Sequence, residues 1–318
     1  MENSIMTARI PSRRALTAVA AACSAGLLLT ACGNQTADAE KEKAGGRKSS
    51  APLFDKLPAG IRQAGVIKVG TDAQYAPMEY EEGGRIVGVD PDIAAELGKQ
   101  LGVTFEFTSG SFDGLITALN SGRHDVVISS MSDTKARQEG LDEKGKKAGK
   151  GVDFVDYFVA GTAVYVEKGN PLGIKSIADL CGRPTAVQRG TTFEKSVQTQ
   201  SKACVKAAKP AVEIESFDTD AEAQTRVKSG GAVAGVNDYP VALDLSRKAD
   251  GGKAFEVVGE QVDAGPFGIA VDKDNAQLRD ALRGAVDAII ADGTYTKVLS
   301  KWDAASGAIT KATVNAGS

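Results

Sequence analysis

The stretch Asp90-Pro91-Asp92-Ile93-Ala94-Ala95-Glu96-Leu97-Gly98-Lys99-Gln100-Leu101-Gly102-Val103-Thr104-Phe105-Glu106-Phe107-Thr108 decides the fold. Ile93, Leu97 and Leu101 recur every fourth residue and form one apolar helical face. Asp90 is expected as the N-cap and Pro91 as the first helical residue, where its missing N–H has no intrahelical partner to lose. Gly102 ends the helix. From Val103 to Thr108 the apolar period changes to two, which predicts a strand. Working outward, Val66 to Gly70 reads as an earlier strand. Leu115, Ile116 and Leu119 mark a short helix ending near Gly122, and Val126 to Ile128 is a β-branched strand. The order strand, helix, strand, helix, strand predicts a mostly parallel α/β sheet.

The third strand runs into Ser129-Ser130-Met131-Ser132, with Arg137 five residues beyond. Serines at a strand end present hydroxyls and backbone N–H groups, and an arginine offers a planar fork of donors to a carboxylate. Other ligand-type residues also sit at element junctions. Asp72 and Tyr75 follow the first strand, Phe112 precedes a helix, and Asn237-Asp238 ends a strand. Gln188-Arg189-Gly190-Thr191-Thr192 opens a helix whose free N–H groups and positive end suit an anion. Ligands of open α/β sheets bind at the carboxyl ends of strands, where all of these residues fall.

A second α/β set follows the first. Residues 140–151 are charged and Gly-rich and read as a solvated surface insertion. Val155 to Val166 is a long aromatic and β-branched run. Thr185 to Val187, Val212 to Ile214 and Ala232 to Val236 read as strands, with helices between them. Leu278, Leu282, Val286 and Ile290 give a strong amphipathic helix. Strands near 158–164 and 257–267 are expected to join two lobes around a cleft.

The N-terminus directs the chain out of the cytoplasm. Arg9, Arg13 and Arg14 precede an uncharged apolar stretch from Ala15 to Ala31, the pattern of an export signal. Leu29-Thr30-Ala31-Cys32-Gly33 resembles a bacterial lipobox, which makes Cys32 the expected lipid-attachment residue. Residues 32–59 are read as a flexible tether, nearly free of large apolar side chains before Leu53 and Phe54. Removing residues 1–31 takes away three arginines and one glutamate, leaving 35 basic and 40 acidic residues. That acidic balance excludes a basic face for nucleic acid. Cys181 and Cys204 remain, and in an exported chain they are expected to form a disulfide. His124, the only histidine, precedes a strand and is read as exposed and inert. The chain lacks the zinc-protease, Walker A, nucleophile-elbow and dinucleotide-binding patterns, so no metal or cofactor is expected.

Several motifs together resemble the bacterial extracellular solute-binding proteins of family 3, the substrate-binding lipoproteins of polar amino acid ABC transporters. They are Gly70-Thr71-Asp72 with Tyr75 and Pro77, Gly88-Val89-Asp90-Pro91-Asp92-Ile93, Ser129-Ser130-Met131-Ser132 with Arg137, Gly190-Thr191-Thr192, Asn237-Asp238, and Asp292-Gly293-Thr294-Tyr295 with Lys301-Trp302. Val89 and Pro91 depart from the pattern, which has a larger residue at the first position and an aliphatic at the second. The resemblance spans roughly residues 60–302. It implies a two-lobed periplasmic-binding-protein-like fold, with two mostly parallel α/β sheets joined by two hinge strands. Lobe 1 would comprise residues 60–161 and 259–304, lobe 2 residues 162–258, and 305–318 a C-terminal tail.

The resemblance also implies roles. Arg137 would pair with a ligand α-carboxylate, helped by Ser132 and Thr192. Asp238 would pair with the α-ammonium, with Ser130 as a further acceptor. Tyr75 and Phe112 would pack on the ligand side chain, read by Asp72 and Gln188, with Glu79 and Arg189 as further candidates. The implied partners are a polar L-amino acid and an ABC permease with its ATPase, and the implied form is a monomer anchored by lipid to the outer face of the cell membrane. A dehydratase of the cyclohexadienyl type on the same fold is the competing reading.

Overall fold

The computed structural model describes residues 49–142 and 145–318. The expected signal peptide and Cys32 lie outside the described residues, as does the tether up to Lys48. From Ala51 onward the chain is folded, which shortens the expected tether. Phe54 and Leu57 are buried in the main core, where apolar side chains gain more than the linker would gain from freedom.

The first lobe begins with α1 (Ala59–Ala64), β1 (Val66–Thr71) and a small three-stranded sheet of β2 (Gln74–Tyr75), β3 (Glu79–Glu82) and β4 (Arg85–Val87). Then come α2 (Val89–Leu101), β5 (Thr104–Ser109), α3 (Leu115–Asn120), β6 (Val126–Val127) and α4 (Lys135–Glu139). β7 (Val152–Glu167) passes into the second lobe. There β8 (Pro184–Gln188), α5 (Thr192–Lys206), β9 (Glu213–Phe217), α6 (Asp220–Lys228), β10 (Ala234–Asp238) and α7 (Tyr239–Lys248) follow. β11 (Phe255–Asp272) returns, and α8 (Ala276–Ala291), α9 (Thr294–Lys301) and β12 (Thr313–Val314) complete the first lobe.

Among the described residues the large sheet runs β5-β1-β6-β11-β7-β10-β8-β9, with β12 on β7. β1 pairs in parallel with β5 and β6, and β8 in parallel with β9 and β10. The two expected sheets are thus halves of one continuous ladder. β7 and β11 pair antiparallel from Val152 opposite Asp272 to Glu167 opposite Phe255. The joining strand expected near 257–267 extends from Phe255 to Asp272. Its register slips between Val258 and Val262 and again before Gly265, where the ladder passes from lobe to lobe.

Each lobe is a helix–sheet–helix sandwich. In lobe 1, Ile93, Leu97 and Leu101 of α2 pack with Leu278, Leu282 and Val286 of α8 on one sheet face. Leu115 and Leu119 of α3 cover the other face, against Val127 and Phe154. In lobe 2 the period-two alternation of β7 sends Val164 and Val166 towards α5, and Ala163 and Tyr165 towards α6 and α7. Truncating a core residue such as Leu97, which is fully buried, costs about 2–5 kcal/mol.

Two expectations are corrected here. Asp90 is not the cap of α2, because the helix begins two residues earlier than expected, at Val89, and Gly88 occupies the cap with φ 135°. A Cβ on Gly88 would lie 2.2 Å from the Met78 carbonyl oxygen, so only glycine fits that approach. His124 is buried rather than exposed, with its ring against Gly70. Burial, with Arg123 nearby, lowers its pKa. Cys181 and Cys204 form the expected disulfide, tying the start of lobe 2 to α5.

Candidate ligand-binding site

Lobe 1 contributes a cluster of buried acids. β1 delivers Asp72, whose backbone N–H donates to Ser129 Oγ at 2.9 Å, and Ser129 Oγ donates to Glu79 Oε1 at 2.9 Å. Ser130 sits at φ 44°, an uncommon conformation for a non-glycine residue. This places its N–H 2.8 Å from Asp90 Oδ2 and its hydroxyl 3.3 Å from Glu79 Oε2 and 3.4 Å from Asp90 Oδ2. Tyr157 donates to Asp90 Oδ1 at 2.7 Å. Glu79 and Asp90 are fully buried, and no cation forms an ion pair with either among the described residues. Burial, reinforced by the neighbouring Asp90, holds Glu79 well above the usual carboxylate range. Burial raises Asp90 to about 6 against the pull of its Tyr157 hydrogen bond. Each of these two buried acids disfavours ionisation of the other.

Arg137 stands on α4, whose first turn is capped by the Thr134 side chain. Its Nη1 donates to the Ser132 carbonyl at 2.7 Å and its Nη2 reaches across the cleft to the Gly190 carbonyl at 3.0 Å. The guanidinium lies 5.3 Å from the Phe112 ring centroid. Burial lowers its pKa to about 10, so it remains charged at neutral pH.

Lobe 2 faces these groups from the ends of β8 and β10. Gln188 Nε2 donates to Asp72 Oδ2 at 2.6 Å and to the Asp218 carbonyl at 3.3 Å. Burial raises Asp72 to about 6, opposed by that Gln188 bond. The Tyr75 hydroxyl lies 2.5 Å from both Asp238 Oδ2 and Asn237 Oδ1. Asn237 in turn donates to Asp220 Oδ1 at 2.8 Å. Burial pushes Asp238 up to about 7, with the Tyr75 bond and Arg137 opposing and Asp220 adding to it. At the start of α5, Thr191 caps the helix and Thr192 Oγ1 meets Ser132 Oγ at 3.3 Å. The Gly190 N–H is already taken by Glu194 at 2.7 Å.

The structure brings Asp72, Tyr75, Phe112, Ser130, Ser132, Arg137, Gln188, Thr192 and Asp238 together around one cavity. Glu79 lines it as well. Arg189 does not, since it is half exposed and bound to Asp218 and the Ser216 carbonyl on the outer surface. Sequence reasoning missed Ser129, Asp90, Tyr157, Asn237 and Asp220 as parts of the acid network. Ser129 and Asn237 stood inside quoted motifs, and Asp90 was hidden by its ordinary position at a helix start. The walls therefore offer three acids, Asp72, Glu79 and Asp238, and one cation. Acids on the walls outnumber cations by two.

The profile of the bacterial extracellular solute-binding proteins, family 3, matches residues 67–305. The ABC transporter arginine-binding protein 1 of Escherichia coli is 33% identical over 260 residues, covering 79% of this chain and 96% of that protein. The structure of an ancestral arginine-binding protein bound to arginine is 38% identical with a TM-score of 0.66, covering 75% of this chain and 98% of that one. An ancestral amino acid-binding protein, a precursor of cyclohexadienyl dehydratase, is 35% identical with a TM-score of 0.63, covering 76% and 97%.

Proposed function

Because the chain belongs to the bacterial extracellular solute-binding proteins, family 3, we propose that it is a lipid-anchored receptor that captures a cationic L-amino acid, arginine first among them, and hands it to an ABC permease with its ATPase. The anchor is Cys32, on the outer face of the cell membrane, and the working unit is a monomer. Lobe 1, residues 60–161 and 259–304, closes on lobe 2, residues 162–258.

The charge imbalance of the cavity carries the choice of ligand. Arg137 takes the α-carboxylate with Ser132 and Thr192 beside it, and Asp238 takes the α-ammonium with Ser130 on the same wall. Tyr75 and Phe112 flank the side chain. Asp72 and Glu79 then face a second positive charge, with Gln188 fixing the Asp72 carboxylate. An acidic ligand would need Arg189, which points away. Neutralising buried acids with a ligand cation relieves the desolvation that raises their pKa values. The arginine-binding relatives support this reading. The relative described as a dehydratase precursor is itself an amino acid-binding protein, so it supports capture rather than catalysis.

Calorimetry of the purified protein against the twenty amino acids tests the proposal. Tightest binding of L-arginine, recovered unchanged, is expected. Preference for a neutral or acidic amino acid overturns the cationic reading, and product formation from prephenate or arogenate overturns the transport role.

A further inference from the structure

The chain after α9 is tied to the element that carries Arg137. β12 adds to the edge of β7 through Thr313 opposite Asp156 and Val314 opposite Val155. The Ala312 N–H donates to Asp287 on α8 at 2.8 Å, and the Thr313 hydroxyl donates to Asp156 Oδ2 at 2.7 Å. Asn315 then grips β7 on three sides. Its Oδ1 accepts from the Phe154 N–H at 2.8 Å, its N–H donates to the Phe154 carbonyl at 3.2 Å, and its Nδ2 donates to Asp153 Oδ1 at 3.0 Å.

Two residues later the same segment reaches the arginine turn. The Gly317 N–H donates to Asp133 Oδ2 at 2.7 Å, and the Gly317 carbonyl accepts from Gln138 Nε2 at 3.3 Å. Gln138 Nε2 also donates to Asp133 Oδ1 at 2.7 Å. Asp133 and Gln138 are both buried, and they bracket Arg137 in the chain. Asp133 is also pinned to the hinge strand β11, its N–H donating to the Pro266 carbonyl at 2.8 Å. A Cβ on Gly317 would lie 2.0 Å from the Asp133 carbonyl oxygen, so glycine is what lets this segment approach so closely.

We infer that residues 312–317 are a strap that positions Arg137, with Asn315 and Gly317 as its positioning residues. The strap fixes the turn from Ser132 to Gln138 against β7. That turn supplies the Ser132 carbonyl on which Nη1 rests, and hence the direction of the guanidinium fork. Neither Asn315 nor Gly317 lines the cavity. A bidentate pair tolerates little rotation, so loosening the turn weakens carboxylate capture without altering any cavity side chain. The inference rests on the proposed pairing of Arg137 with a ligand α-carboxylate.

The test uses Gly317→Val and the milder Asn315→Ala in the full chain, with two readouts. Amide hydrogen exchange of the ligand-free protein is expected to rise about tenfold at residues 134–140 and to stay unchanged in α5 of lobe 2. Calorimetry is expected to show L-arginine binding about tenfold weaker, with L-argininamide, which lacks the carboxylate charge, changed less than about twofold. Unchanged exchange at 134–140 in both variants overturns the strap. Equal losses for the acid and the amide overturn its positioning role and leave general destabilisation. If the wild-type protein binds no L-arginine, the proposed ligand fails, and the exchange experiment still decides whether the strap holds the turn.

Discussion

Gln188 and Asp72 join the two lobes directly, with the amide nitrogen of one 2.6 Å from the carboxylate of the other. The contact closes over the same cavity that Arg137 enters from the side of α4. Tyr75 makes a parallel link to Asp238 and Asn237. In the proposed role, lobe closure and ligand recognition use the same side chains, so changes at the site alter affinity through both.

Arg137→Ala is expected to cost at least ~2 kcal/mol of L-arginine binding, about thirtyfold in Kd, because a buried carboxylate loses its fork of donors. Calorimetry measures it. Wild-type affinity in this variant would remove Arg137 from the site.

Glu79→Gln separates the side-chain subsite from the zwitterion clamp. The isosteric amide removes one member of the buried acid pair with Asp90. Binding of L-arginine is expected to weaken about tenfold while L-glutamine changes by less than about threefold. The ligand-free variant is also expected to melt higher than wild type, since an uncompensated buried acid costs stability. Equal loss for both ligands contradicts the assignment.

The pH dependence has opposite signs for stability and for binding. Asp72, Asp90 and Asp220 sit at about 6 and Asp238 at about 7 in the fold, all above the unfolded value of 3.8. Each binds its proton more tightly folded than unfolded, so this contribution is fully present below about pH 4 and is lost as pH rises through 6 to 7. Thermal melts of the ligand-free protein are expected to show a higher Tm at pH 5 than at pH 7.5. L-arginine affinity is expected to run the other way, strengthening as Asp72 and Asp238 ionise. Two curves rising together would rule out these acids as the ligand's counter-charges.

Replacing Cys181 and Cys204 by serine removes a bridge between residues 23 apart in sequence. The expected loss is roughly 3 kcal/mol of stability, read by denaturant unfolding. Affinity for L-arginine is expected to stay within about twofold, because Cys204 lies at the end of α5 remote from Thr192. A large affinity loss would show that the bridge shapes the site.

Cys32→Ser is expected to release the protein from the membrane fraction or leave it unprocessed, as shown by fractionation and by the mass of the N-terminal peptide. Full membrane retention of a normally processed chain would refute lipid attachment at this residue.

Much of the fold was legible because periodicity is local. The four-residue spacing of Ile93, Leu97 and Leu101 and the alternation of β5 are sums over near neighbours, and both elements appear, α2 starting two residues earlier and β5 one residue later than read. The joining strand near 257–267 was legible but its full length, Phe255 to Asp272, was not, because its middle from Gly259 to Ala264 is exposed and only pairing with β7 fixes its ends. The residues that enter the cavity were readable from their places at strand ends. Their mutual contacts were not. Asp90 looks like a cap in one dimension, and only the third places its carboxylate against Ser130 and Tyr157. The grip of Asn315 on Phe154 and Asp153 spans some 160 positions and left no trace in any local pattern.

The crossing of β7 and β11 has an evolutionary consequence. Thr162 and Val262 are paired neighbours, so the whole of lobe 2 enters and leaves through adjacent points on the same ladder. In the gene that lobe is one uninterrupted cassette. Chains with adjacent ends can be excised or exchanged with little cost in loop closure. A new lobe 2 would bring a different residue in place of Gln188 and another acid in place of Asp238, while Arg137, Asp72 and the core of lobe 1 stayed as they are. On the proposed site, ligand choice could diversify with only this one insertion varying.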